Sequence, residues 1–334
     1  MPRCGSGGGE GRNGLETARR TLDSERLLMM AIELDHAVDA VWEATDELAG
    51  SQLALLLDIL EEAPARSRLA RDAWRRVITP ERLRSLVDSP SPDLDTLERV
   101  LARFEADDAG VLLDLLTESE RLATRRRLFT RLVALAPRIG PEIVRRLLDR
   151  RWFARRNMLA LLGEIPRWPA KWSPAAYSED PHQAVRREAL KLMLRVPEHR
   201  DLALCRLLAD TDLRALSLGL AAATDDCPPE AIDLLAAITR DESVTTELRL
   251  MAVRALARTG HPGALAPLVD LVRRPGRSGR TKLAEASPLM LAALQALATR
   301  RRNTPEIRKL LARAARAADP DVRRAAAGGV EADS

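Results

Sequence analysis

The chain has 334 residues, 53 basic and 49 acidic side chains for a formal net charge of +4, and a 46% hydrophobic share that is mostly leucine and alanine. Strong helix formers dominate and only nine residues are aromatic, which excludes a β-rich fold and predicts an all-α protein. Cys4, Cys205 and Cys227 are an odd number at unrelated spacings, against a disulfide framework or a zinc knuckle; no run approaches the roughly 20 apolar residues that span a bilayer, and MPRCGSGGGEGRNG lacks the apolar core of a secretory signal, so a cytoplasmic protein without membrane contact is expected.

In chain order, residues 1–23 are glycine-rich with little apolar content to offset ordering entropy, and a disordered tail is predicted. Residues 24–117 form an acidic, degenerate helical region with runs such as QLALLLDIL and LERVLARF, interrupted by the proline-rich turn SPSPD at 89–93. Charge then reverses. Residues 1–120 carry 14 basic and 25 acidic side chains, residues 121–156 carry 12 and 2, and the remainder 27 and 22.

From residue 118 to 330 a helical unit recurs. In AVRREALKLMLRV the apolar residues Val185, Ala189, Leu192, Met193 and Val196 form one stripe of a 3.6-residue helix. The same template starts at 124, 154, 185, 213, 248, 289 and 322, separated by 28 to 41 residues, enough for two helices and two turns. Arginine follows the first stripe position at Arg155, Arg186, Arg214 and Arg249. Acidic turns precede most units, as at Asp180-Pro181, Asp210, Asp241 and Asp319-Pro320, where Asp can cap the next helix and Pro suits its first turn. Hairpins that cannot bury their own apolar faces must stack, so the predicted fold is an α-solenoid of stacked antiparallel helical hairpins. The segment RRPGRSGRTKLAEASP (273–288) reads as one lengthened, mobile inter-helix loop.

The pattern D-P-x-x-V-R-x-x-A in DPHQAVRREAL and DPDVRRAAA resembles HEAT repeats, particularly the short bacterial HEAT-like type also found in phycobilisome lyases, and RWFARRNMLALLGEI resembles a segment that recurs in bacterial HEAT-repeat proteins. The resemblance implies a HEAT-like superhelix over about residues 118–330.

Chemistry finds little support. His36, His182, His199 and His261 lie far apart, none in HExxH or the repeated His-Glu pairs of HEAT-type hydroxylases; GSGGG follows no strand, against a phosphate loop; and Glu61-Glu62, Asp107-Asp108 and Asp225-Asp226 read as solvated turns. No catalytic residue, metal ligand or cofactor is expected.

What stands out is RRWFARRN at 150–157, which opens a stretch holding five of the nine aromatics: Trp152, Phe153, Trp168, Trp172 and Tyr177. On the template Ala154 and Met158 face the core, which sets Arg155 beside the seam and turns Arg151, Trp152 and Arg156 elsewhere. The rings either fill a gap under PRWPAKWSPAAYSEDP or form a partner site, since Trp and Arg dominate interface hot spots. Armadillo repeats hold peptides with Trp and Asn one turn apart, whereas Trp152 and Asn157 are five apart.

The expectation is a non-enzymatic scaffold that meets another protein, of acidic surface, through Arg125, Arg126, Arg127, Arg151, Trp152, Arg155, Arg156, Asn157, Trp168 and Trp172. The alternative is a nucleic-acid-binding protein that uses the arginines as a basic ridge, as HEAT-like DNA glycosylases do. A third possibility is docking of the acidic N-terminal region on the basic band.

Overall fold

The computed structural model of the protein describes residues 23–225, 227–275, 281–300 and 304–328; the tail predicted over residues 1–23 lies, but for its last residue, outside them. The chain divides into two compact units, Met1–Ala170 and Lys171–Ser334. Both are helical, and the one sheet among the described residues is a pair of three-residue strands.

The first unit holds α1 (residues 23–34), α2 (Asp39–Ser51), α3 (Leu53–Glu62), α4 (Arg68–Val77), α5 (Pro80–Asp88), α6 (Leu94–Leu101), α7 (Ala109–Glu118), α8 (Leu122–Arg146) and α9 (Trp152–Gly163). Polar caps explain several starts. Ser67 Oγ accepts from Ala70 N at 3.1 Å, Thr79 precedes Pro80 and accepts from Arg82 N at 3.3 Å, and Asp93, at the end of SPSPD, accepts from Asp95 N and Thr96 N at 3.0 and 3.2 Å. Each satisfies N–H groups that have no intrahelical acceptor.

Helix α8 departs from the repeat template. Between the starts at 124 and 154 the structure has one 25-residue helix in place of a hairpin, with Pro137 and Pro141 inside it. A stripe of Leu128, Leu132, Leu135, Ala136, Ile139 and Ile143 is buried, and α8 packs on α6, α7 and α9. Packing on both sides holds α8 helical although each proline removes a donor. The composition step near residue 118 is therefore no packing boundary; the division falls inside the aromatic-rich connection at 170/171.

In the second unit α10 (Gln183–Met193), α12 (Leu213–Asp225), α14 (Thr246–Arg258), α16 (Pro288–Arg300) and α18 (Pro320–Ala327) are the template helices, and α11 (Pro197–Leu208), α13 (Ala231–Arg240), α15 (Leu265–Val272) and α17 (Pro305–Ala314) alternate with them. Helix α12 packs on α14, α14 on α16 and α16 on α18, while α11 meets α13. One apolar core runs from Leu204 on α11 to Ala326 on α18. The small residues that let helices approach, Ala189, Ala252 and Ala293, are wholly buried.

Template position 213 needs correction. Leu213 is 52% exposed, and α12 buries Ala215, Leu216, Gly219, Leu220 and Ala223. The stripe starts two residues later, because a Cβ on Gly219 would lie 2.8 Å from Leu207 Cβ; the bare backbone at 219 seats α12 on α11. Capping by aspartate also takes more than one form. Asp319 caps α18 directly, whereas at α10 Asp180 accepts from His182 N at 2.9 Å and His182 Nδ1 caps the helix from Ala184 N.

The segment read as a mobile loop at 273–288 has structure at its ends. Strands β1 (Arg273–Pro275) and β2 (Thr281–Leu283) pair antiparallel with Arg274 opposite Lys282; residues 276–280 lie outside the described residues.

Candidate interaction surface

The basic band lies mostly along α8, and much of it faces inward. Arg127 Nε donates to Leu94 O at 3.0 Å and sits 3.3 Å from Glu98. Arg131 donates to Phe104 O, its Nε at 3.1 Å. Arg138 meets Glu105 at 3.2 Å, and Arg146 bonds Asp114, Glu142 and the Gly110 carbonyl. Burial alone would lower the Arg146 pKa, but Asp114 and Glu142 outweigh it and raise it above the ordinary guanidinium value. The positive helix and the acidic helices before it thus compensate each other within the first unit, tying the first residue of α6 and the turn that follows the helix to α8.

Arginines after the first stripe position do a related job. Arg155 Nη1 donates to Asp149 O and Arg150 O at 3.0 and 2.8 Å. Arg186 reaches Asp180 O and Pro181 O at 3.1 and 3.2 Å, and Arg323 reaches Ala317 O and Ala318 O at 2.8 and 2.6 Å. Each guanidinium folds back to the carbonyls six and five residues earlier and closes the turn into its own helix. Arg155, expected at a partner surface, serves the turn.

The predicted site residues do not form one patch. Arg125, Arg126 and Arg127 occupy the first turns of α8, while Arg151, Trp152, Arg155, Arg156 and Asn157 lie beyond its other end, and 25 residues of helix span about 37 Å. Arg126 is exposed, Arg125 partly so, and Arg127 is held by α6. Arg156 donates to Asn157 Oδ1 at 3.2 Å.

At the α8–α9 corner the aromatics face solvent. Trp152 is 43% and Phe153 37% exposed, and Leu148 beside them is 84% exposed. The two rings meet edge to face, centroids 5.8 Å apart at 88°, and the Arg151 guanidinium lies 5.6 Å from the Phe153 centroid. Arg151 also bonds Asp149 at 2.7 Å, which holds that carboxyl below the usual carboxylate range against the opposing effect of burial. Trp168 is half-buried, with Nε1 donating to Leu162 O at 2.9 Å; Ile165 and Pro169 of the same segment approach Gly140 on α8. In the second unit Trp172 and Tyr177 are half-buried, Tyr177 in a short turn that packs on α10. The gap-filling reading thus suits Trp168, Trp172 and Tyr177, and the surface reading suits Trp152 and Phe153.

Leu148 was not singled out in the sequence, and Phe153 stood in the aromatic cluster but not among the expected contact residues. Phe153 sits next to Ala154, the stripe position, and Leu148 lies in the turn just after a helix whose length the template did not anticipate. Among the described residues no three His, Cys, Asp or Glu side chains gather as a metal site would require, and no helix is long and apolar enough to cross a membrane. No protein-family model and no curated protein matches the chain.

Proposed function

We propose that the chain is a cytoplasmic HEAT-like α-solenoid scaffold, without enzymatic activity of its own, that binds another protein through the α8–α9 corner. The serial packing of α12, α14, α16 and α18 over one unbroken core supports the stacked-repeat reading of the second unit. The observation that carries the binding reading is the corner itself: Leu148, Trp152 and Phe153 expose apolar area beside Arg150 and Arg151, where covering them removes that area from water and the residue types match those that anchor interfaces. The arginines favour a partner with acidic side chains around an apolar contact.

Affinity capture from a lysate of the source cells, with the full chain as bait, tests this. Trp152→Ala with Phe153→Ala should lose the captured partner while the melting curve stays unchanged, and Arg126→Glu at the far end of α8 should retain it. Arg127 is a poor probe, because its replacement also releases the Leu94 carbonyl. Full capture by the double variant would sink the proposal. The nucleic-acid reading is weaker because Arg127, Arg138 and Arg146 already meet carboxylates; a gel shift at low salt, where counterion release favours binding most, separates the two.

A further inference from the structure

A second basic feature lies in the other unit, where the sequence shows no dense charge run. The β1–β2 hairpin and helix α17 border an open concavity of about 220 Å³ lined by Arg273, Lys282, Lys309, Leu310 and Arg313. Two of the chain's four lysines are here. Lys309 and Arg313 are one turn apart on α17, a spacing at which like charges oppose the helix. No acidic residue lines the cavity. Glu306, one turn before Leu310, bonds Arg273 at 2.7 Å and compensates that guanidinium; Lys282 and Lys309 have no carboxylate partner among the described residues. The contrast is with α8, whose cations mostly meet acids or carbonyls.

We infer that this cavity binds a phosphate-chain anion, with Lys282 and Lys309 as point charges and Arg273 and Arg313 as planar donors to its oxygens. Cations from three elements, β1, β2 and α17, converge on one concavity, a disposition that an anion bearing several charges satisfies and a single carboxylate does not. Leu310, buried at the wall, has an apolar side chain that brings no competing acceptor to these cations. The inference stands apart from the α8–α9 corner and survives if that reading fails.

Isothermal titration of the full chain with inorganic pyrophosphate at low ionic strength tests it. Saturable one-to-one binding is expected, weakened at least tenfold by Lys282→Gln or Lys309→Gln and unchanged by Lys191→Gln on α10. Glu306→Gln should tighten it, since Arg273 is then released to the anion. Circular dichroism of each variant guards against misfolding. Absence of saturable binding, or equal loss in Lys191→Gln, overturns the inference. A single-stranded oligonucleotide that displaces pyrophosphate would assign the phosphates to a nucleic-acid backbone, and one that does not would assign them to a small phosphorylated ligand; the site stands in both cases.

Discussion

Asp210 shows how single residues hold the repeat turns. Its carboxylate is almost fully buried and receives Arg186 Nε and Nη2 at 3.0 and 2.9 Å, and it also accepts from Asp212 N at 2.9 Å. Burial pushes its pKa up, but the Arg186 bonds and the Asp212 N–H outweigh that and leave it below the ordinary value. A depressed folded pKa stabilises the native state fully above the unfolded value, near 3.9, and that contribution is lost as pH falls through the folded pKa. Asp210→Asn should therefore cost about 1.5–3 kcal/mol at neutral pH. Urea melts of variant and wild type should converge at acid pH; a difference that persists well below pH 3 would show that the charge is not what matters. Arg186 was legible as a recurrent residue, but its work was not: two of its acceptors are backbone carbonyls, which leave no mark on side-chain patterning.

Helices were the most legible scale, because burial on one face imposes a period that the sequence must carry. Six of the seven template starts fall on or next to a buried stripe, as Val185, Ala154 and Val322 do at 0%, 3% and 3% exposure. The failure at Leu213 has a specific cause. An alanine-rich helix, LRALSLGLAAATD, offers nearly equivalent stripes, and the choice falls to Gly219, whose missing side chain admits Leu207. A methyl group there would also press on the Leu207–Leu208 backbone, 3.2 Å away, so α12 must shift as a body. Gly219→Ala should accordingly destabilise the second unit by about 1–3 kcal/mol, despite alanine's better helix propensity. A gain in thermal stability would mean that α12 can move aside at no cost. Helix α8 departs in the opposite sense: the spacing from 124 to 154 leaves room for a hairpin, and packing on α6, α7 and α9 instead keeps one helix whole across Pro137 and Pro141.

For the whole molecule, charge and packing divide the chain differently. The reversal from acidic to basic near residue 120 suggests a domain boundary, yet it marks two surfaces that meet: Glu98, Glu105 and Asp114 on one side, Arg127, Arg138 and Arg146 on the other. Opposite charges drawn together across a composition step look, in one dimension, like separation. This is also why the candidate surface was only half legible; the run of arginines between 125 and 156 reads as a single ridge, and the partners of those facing inward lie some thirty residues earlier. The division at 170/171 leaves each side with its own core, from Leu28 to Ile165 in the first unit and from Val185 to Ala326 in the second. Compact units of that size are large enough to fold alone. Fragments 1–170 and 171–334 should each give a helical spectrum and a cooperative melt, and a fragment cut instead at 117/118 should not, since it strips α8 and α9 from α6 and α7 and exposes Leu97, Leu112 and Leu116. If 1–117 melts as cooperatively as 1–170, the ion pairs along α8 are surface decoration. If it does not, the basic band is first a structural element of the first unit.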